Sequence, residues 1–77
     1  MNAERRKILE RVMELIAPIR NLVEDVKDEE EASFYNLPEN LQGSEIGQKL
    51  ESNIESLEEA LSDIDNVIET LQNVIDK

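Results

Sequence analysis

The chain has 77 residues with eight basic and nineteen acidic side chains, a net charge of −11, and neither cysteine nor histidine. A chain of this size forms one domain and buries only about 60% of the surface its unfolded form exposes, so its stability is marginal without a staple or a partner. Disulfides and the usual zinc sites are excluded with the missing residues, which leaves assembly as the remaining remedy.

Two glycines, two prolines and 3% aromatics, set against 35% charged and 39% hydrophobic residues, suit helical packing better than a sheet. The apolar runs are too short for a membrane span, and no basic stretch precedes an apolar segment at the N-terminus. Neither a membrane association nor a secretory signal is expected, and a cytosolic placement is the default. Charge is uneven: residues 1–27 hold six basic and five acidic side chains, residues 28–77 two basic and fourteen acidic. Direct nucleic-acid binding is not expected, because that affinity rests on Lys and Arg neutralising phosphates.

The first element is a helix over about residues 3–33. Its apolar series Ile8, Val12, Leu15, Ile19, Leu22 and Val26 steps alternately by four and three, and Leu9, Met13, Ile16 and Val23 widen it. In heptad terms Ile8, Leu15 and Leu22 take d, Val12, Ile19 and Val26 take a, and the a/d row is the expected seam, with the extra row at e. Pro18 removes the hydrogen bond to the Glu14 carbonyl, so a kink or two abutting helices are expected there.

The second element is a turn over about residues 34–43, which follows the acidic run Asp28 to Glu31 and carries both aromatics, Phe34 and Tyr35. Pro38 suits the first turn of a short helix, with Asn36 or Leu37 extended before it, and Gly43 suits the left-handed position that ends one. Phe34, Leu37 and Leu41 are expected to cap the open end of the core.

The third element is the clearest, a helix over about residues 44–76 with Ser44 as N-cap. Leu50, Ile54, Leu57, Leu61, Ile64, Ile68, Leu71 and Ile75 keep the four-three step throughout, and Ala60, Val67 and Val74 add a row at g. At about 1.5 Å per residue the helix is roughly 50 Å long. The fold class is therefore all-α, an antiparallel helical hairpin with a short helical turn. A three-row stripe marks a helix that touches two neighbours, so two hairpins are expected to form a homodimeric four-helix bundle. Antiparallel packing brings Arg5, Arg6, Lys7 and Arg11 towards Asp63, Asp65, Glu69 and Asp76.

Chemistry finds few parts. Nucleophilic catalysis needs a hydroxyl or thiol beside a base, and only four lysines and no histidine are present. A di-iron centre needs inward Glu and Glu-x-x-His pairs, whereas the inward positions read as apolar. Asp63-Ile64-Asp65 lacks the glycine and the bidentate Glu of a calcium loop. No enzyme activity, cofactor or metal is expected.

Two features point to binding. Phe34, Tyr35 and Leu37 could present a contact surface at the hairpin tip. The row Glu51, Glu55, Glu58, Asp65, Glu69 and Asp76 could offer an acidic face to a basic cleft, as a nucleic-acid mimic does. Duplex DNA carries about one charge per 1.7 Å, against about one per 5 Å for the acidic residues spread along this helix, so solubility is the simpler account of that row.

The run from Asp28 through Asn36-Leu37-Pro38 and Leu41-Gln42-Gly43-Ser44 to Gly47 resembles a pattern in small acidic helical proteins of phages and prophages from Gram-positive bacteria: an acidic run, an aromatic, Asn-Leu-Pro, Leu-Gln-x-Ser, then a Glu-rich helix. The likeness covers about residues 4–76, and its specific part is the turn. It implies a phage-related accessory protein in the bacterial cytoplasm and supplies no activity. The leading expectation is a non-enzymatic protein that binds itself and an unidentified protein partner; the alternative is an acidic inhibitor that blocks a basic cleft of a host nucleic-acid enzyme or defence protein.

Overall fold

Asn2 starts the first helix. Its backbone is extended (φ −78°, ψ 166°) and its side-chain oxygen accepts the Arg5 N–H at 2.8 Å, satisfying a donor that has no partner within the helix. In the computed structural model, which describes residues 1–77, α1 then runs over Ala3–Tyr35, α2 over Glu39–Gln42 and α3 over Glu45–Asp76, with no strand.

α1 passes through Pro18 as one helix of 33 residues, so the alternative of two abutting helices does not occur. Proline removes a single N–H, and Pro18 lies on an exposed side of α1, where water can satisfy the freed Glu14 carbonyl. The helix also extends past the expected end and takes Phe34 into its last turn. Asn36 closes it in the right-handed region (φ −81°, ψ −11°), with its N–H on the Ala32 carbonyl at 3.0 Å; it is not the extended residue of the turn.

The turn corrects a second expectation. Gly43 has φ −85° and ψ 0°, and no residue of the chain has a positive φ. A left-handed glycine is unnecessary because α2 is a single turn whose end is closed by the next cap. The Ser44 hydroxyl donates to the Leu41 carbonyl and accepts the Gly47 N–H at 3.5 Å, serving the end of α2 and the start of α3 together. The glycine that matters is Gly47. It is buried in the first turn of α3, and a Cβ there would overlap the backbone of Gln42, whereas one at Gly43 would meet open space. Leu37 and Phe34 are half-buried at this end, but Leu41, expected in the core, is 41% exposed.

α1 and α3 pack antiparallel. Arg6 Nε donates to the Ile75 carbonyl at 3.1 Å, Arg20 meets Asp65 near the middle, and Asn53 Nδ2 donates to Glu30 Oε2 at 3.3 Å near the turn. The hairpin measures 58 × 16 × 13 Å, and its radius of gyration is 17.5 Å. A compact chain of this length would have about 11.5 Å. Two helices in one layer cannot enclose much: Leu61, at the centre of the α3 row, is the one hydrophobic residue that is buried, at 8% exposure.

The seam on α1 is not the a/d row. Leu9, Met13, Ile16 and Val23 are half-buried towards α3, and Arg6, Arg20, Lys27 and Phe34 continue the same three-four step, so the inward row is partly charged. Ile8, Leu15, Ile19, Leu22 and Val26, expected inside, are exposed. The charged N-terminus also behaves differently from expectation. Arg5 and Lys7 make no ion pair, Arg11 pairs with Glu14 on its own helix at 3.0 Å, and the one ion pair between helices is Arg20–Asp65. Arg5, Lys7 and Arg11 stand exposed on sides of α1 that do not meet α3, which no charge attraction between exposed groups is strong enough to change.

Candidate interaction surfaces

Successive residues of a helix are separated by about 100°, so the row Ile8–Val26 lies a quarter-turn from the row that meets α3. On α3, Ala60, Val67 and Val74 lie a similar step from the Leu50–Ile75 row. Both secondary rows turn to the same side. Ile16 and Ile19 of α1 and Ile64 and Val67 of α3 line one open hollow of about 290 Å³, with Asp63 at its edge. Val26 lines a second hollow on this side with Glu30, Asn53, Ser56 and Leu57. One broad face of the hairpin is thus apolar along α1, and along α3 it is small or neutral except for Asp63. Leu22 at its centre line is 65% exposed.

The opposite face is acidic. Glu31, Phe34 and Tyr35 of α1 and Glu51, Ile54, Glu55 and Glu58 of α3 surround a hollow of about 270 Å³ near the turn. Phe34 and Tyr35 meet edge to face, with ring centroids 5.4 Å apart at 77°, and Tyr35 is 73% exposed. Of the residues singled out in the sequence, Phe34, Tyr35, Glu51, Glu55 and Glu58 come together here. Leu37 lies beyond the hollow in the turn, Glu69 stands further along α3, and Asp65 is engaged by Arg20.

Arg20 forks onto Asp65 and also donates from Nη1 to Glu24 at 2.6 Å. These bonds raise its own pKa, Asp65 contributing first, and hold the Asp65 carboxyl below the usual carboxylate range. Lys27 is raised mainly by its bond to Asp28 and secondarily by the one to Glu31. No group of three or more carboxylates converges closely enough to hold a metal ion. No helix is long and apolar enough to cross a membrane.

Sequence reasoning singled out Phe34, Tyr35, Glu51, Glu55 and Glu58 as parts of two separate features and did not foresee that they share one hollow; it also missed the roles of Arg20 and Lys27 and the exposure of the a/d row. A signal was present: Arg6, Leu9, Met13, Ile16, Arg20, Val23 and Lys27 step three and four as regularly as the fully apolar row, and long cationic stems bury well while their heads reach solvent. Compared with known proteins, the chain matches no family model, no curated protein and no solved structure at a significant level.

Proposed function

We propose that this chain is a non-enzymatic interaction protein that pairs with a second copy through its apolar face, forming a four-helix bundle, and presents its acidic faces outward to a protein partner. The observation that carries this reading is the exposed row Ile8, Leu15, Ile19, Leu22 and Val26, an apolar stripe along most of α1 that the hairpin leaves uncovered. Contiguous apolar patches of that extent mark interfaces in proteins that remain soluble. Complete burial of each such side chain contributes about 1.5–3 kcal/mol, which a hairpin with one buried hydrophobic residue needs.

Sedimentation equilibrium at micromolar concentration is expected to give two chains per particle, and Leu22→Glu to return the mass to one. A wild-type protein that sediments as one chain and unfolds cooperatively would sink the reading. The turn pattern from Asp28 to Gly47 supports an origin in a phage or prophage and a place in the bacterial cytoplasm as an accessory protein.

The concentration of carboxylates on the face opposite the apolar one favours a second reading, an inhibitor that blocks a basic cleft of a host nucleic-acid enzyme or defence protein. Affinity for such a target would fall steeply as salt rises, whereas an apolar partner interface would hold.

A further inference from the structure

We infer that the two copies pack with α1 antiparallel to α1 of the other copy, about a two-fold axis that crosses the hairpin between Leu15 and Ile19; this rests on the dimeric reading above. Three independent features of the apolar face share that centre.

The first is the spacing of the exposed row. Reversing α1 about residue 17 sets Ile8 against the partner's Val26, Val12 against the partner's Leu22, and Leu15 against the partner's Ile19. All six side chains are used, each d opposite an a, which is the layer geometry of antiparallel helix pairs. The second is charge. Arg11 and Asp25 each stand one residue before an a position, Val12 and Val26, on the side of the row turned away from α3. The same reversal brings Arg11 to within two residues, about 3 Å along the axis, of the partner's Asp25, and, one turn further out, Lys7 to within two residues of the partner's Glu29. Lys7, Asp25 and Glu29 have no ion-pair partner in the hairpin, and Arg11 holds only an exposed i,i+3 pair with Glu14. A parallel pairing would instead set these g positions beside e positions of the partner, Arg11 beside Ile16 and Asp25 beside Glu30, and leave the opposite charges apart.

The third is the shape of the face. The hollow lined by Ile16, Ile19, Asp63, Ile64 and Val67 lies at the same level as residue 17, midway along the stripe, and offers room of about 290 Å³ for the partner's side chains. At that level α3 has its own symmetric centre, between Ile64 and Val67. Reversal there pairs Ile64 with the partner's Val67, Ala60 with the partner's Leu71, and Leu57 with the partner's Val74. One axis therefore satisfies α1 and α3 together.

Site-directed cross-linking reads the orientation, because the chain has no cysteine of its own. The variants Arg11→Cys and Asp25→Cys are treated with a short bis-maleimide, singly and as an equal mixture. The antiparallel pairing gives a product only in the mixture, identified by mass as one chain of each variant, since Arg11 and the partner's Arg11 are then about 20 Å apart along the axis. Products from each variant alone, or none from the mixture while the sample sediments as a dimer, overturn the antiparallel pairing and leave the dimer standing. Wild-type protein that sediments as a monomer overturns both. A charge reversal supplies the second arm: Arg11→Asp is expected to raise the dimer dissociation constant several-fold, and Asp25→Arg in the same chain to restore it. Failure of that rescue also counts against the pairing.

Discussion

Arg20 of α1 grips Asp65 of α3 with two hydrogen bonds, Nε to Oδ1 at 2.6 Å and Nη2 to Oδ2 at 3.2 Å. A planar fork on a carboxylate fixes both rotation and height, so this pair sets the register of two helices whose apolar rows alone would tolerate a slip of one heptad. Arg20→Lys is expected to keep the charge and lose part of the stability. A double-mutant cycle with Asp65→Asn should show coupling for arginine and little for lysine; equal coupling for both would reduce the pair to a diffuse charge effect.

The same pair gives an acid limb. The folded-state pKa of Asp65 lies below its ordinary value of 3.8, so its contribution is fully present above about pH 4 and is lost as pH falls through the folded value. The difference in melting temperature between wild type and Asp65→Asn should stay constant from pH 7 to 5 and shrink below pH 4. Between pH 7 and 5 the wild-type melting temperature itself should hold or rise, because proton uptake relieves repulsion in a chain of net charge −11. A steady fall over that range would mean that the carboxylates are held in pairs.

Leu61 and Leu22 separate the two packing surfaces. Leu61 is 8% exposed at the centre of the hairpin seam, and Leu61→Ala is expected to cost about 2–5 kcal/mol by chemical denaturation. Leu61→Asp should leave no folded protein by circular dichroism, since an unpaired charge cannot stay in the seam. Leu22, 65% exposed in the hairpin, should matter through the dimer: wild-type melting temperature rises with protein concentration, and Leu22→Glu removes that dependence.

Two glycines should respond oppositely to the same change. Gly43→Ala meets open space at an ordinary right-handed conformation and should be neutral or stabilise by up to about 1 kcal/mol, by restricting the unfolded chain. Gly47→Ala places a methyl group into the Gln42 backbone, which has no flexible end to move aside, so it should destabilise despite alanine's better helix propensity. Urea melts of the two variants side by side test the contrast.

Tyr35 and Phe34 touch, yet their surroundings differ. Tyr35→Ala, at 73% exposure, should shift stability by no more than about 0.5 kcal/mol plus whatever the edge-to-face contact contributes, about 0.5–1.5 kcal/mol. Phe34→Ala should cost more, because its ring is half-buried at the end of the seam. If Tyr35→Ala proves the more damaging of the two, the tyrosine is a scaffold residue and the acidic hollow is not presented as a contact surface.

The helical class, the two long helices, Ser44 as N-cap and Leu61 at the heart of the α3 row were legible in the sequence, because each follows from local rules: a 3.6-residue period, a capping side chain and one unambiguous apolar row. The turn was legible only as a break. That Gly43 needs no left-handed backbone, and that Gly47 must lack a side chain, depends on how closely α3 passes the carbonyl end of α2, which propensities do not contain. α1 shows the limit most clearly. It carries two rows at almost the same step, one wholly apolar and one shared with Arg20 and Lys27, and periodicity cannot rank them. Only docking against α3 decides, since Arg20 can spend its charge on Asp65 and bury its stem, while the wholly apolar row is left outside. Local spacing therefore fixed how many faces α1 has, and tertiary packing decided which of them the hairpin uses for itself and which it leaves open, because that choice turns on partners far apart in the chain.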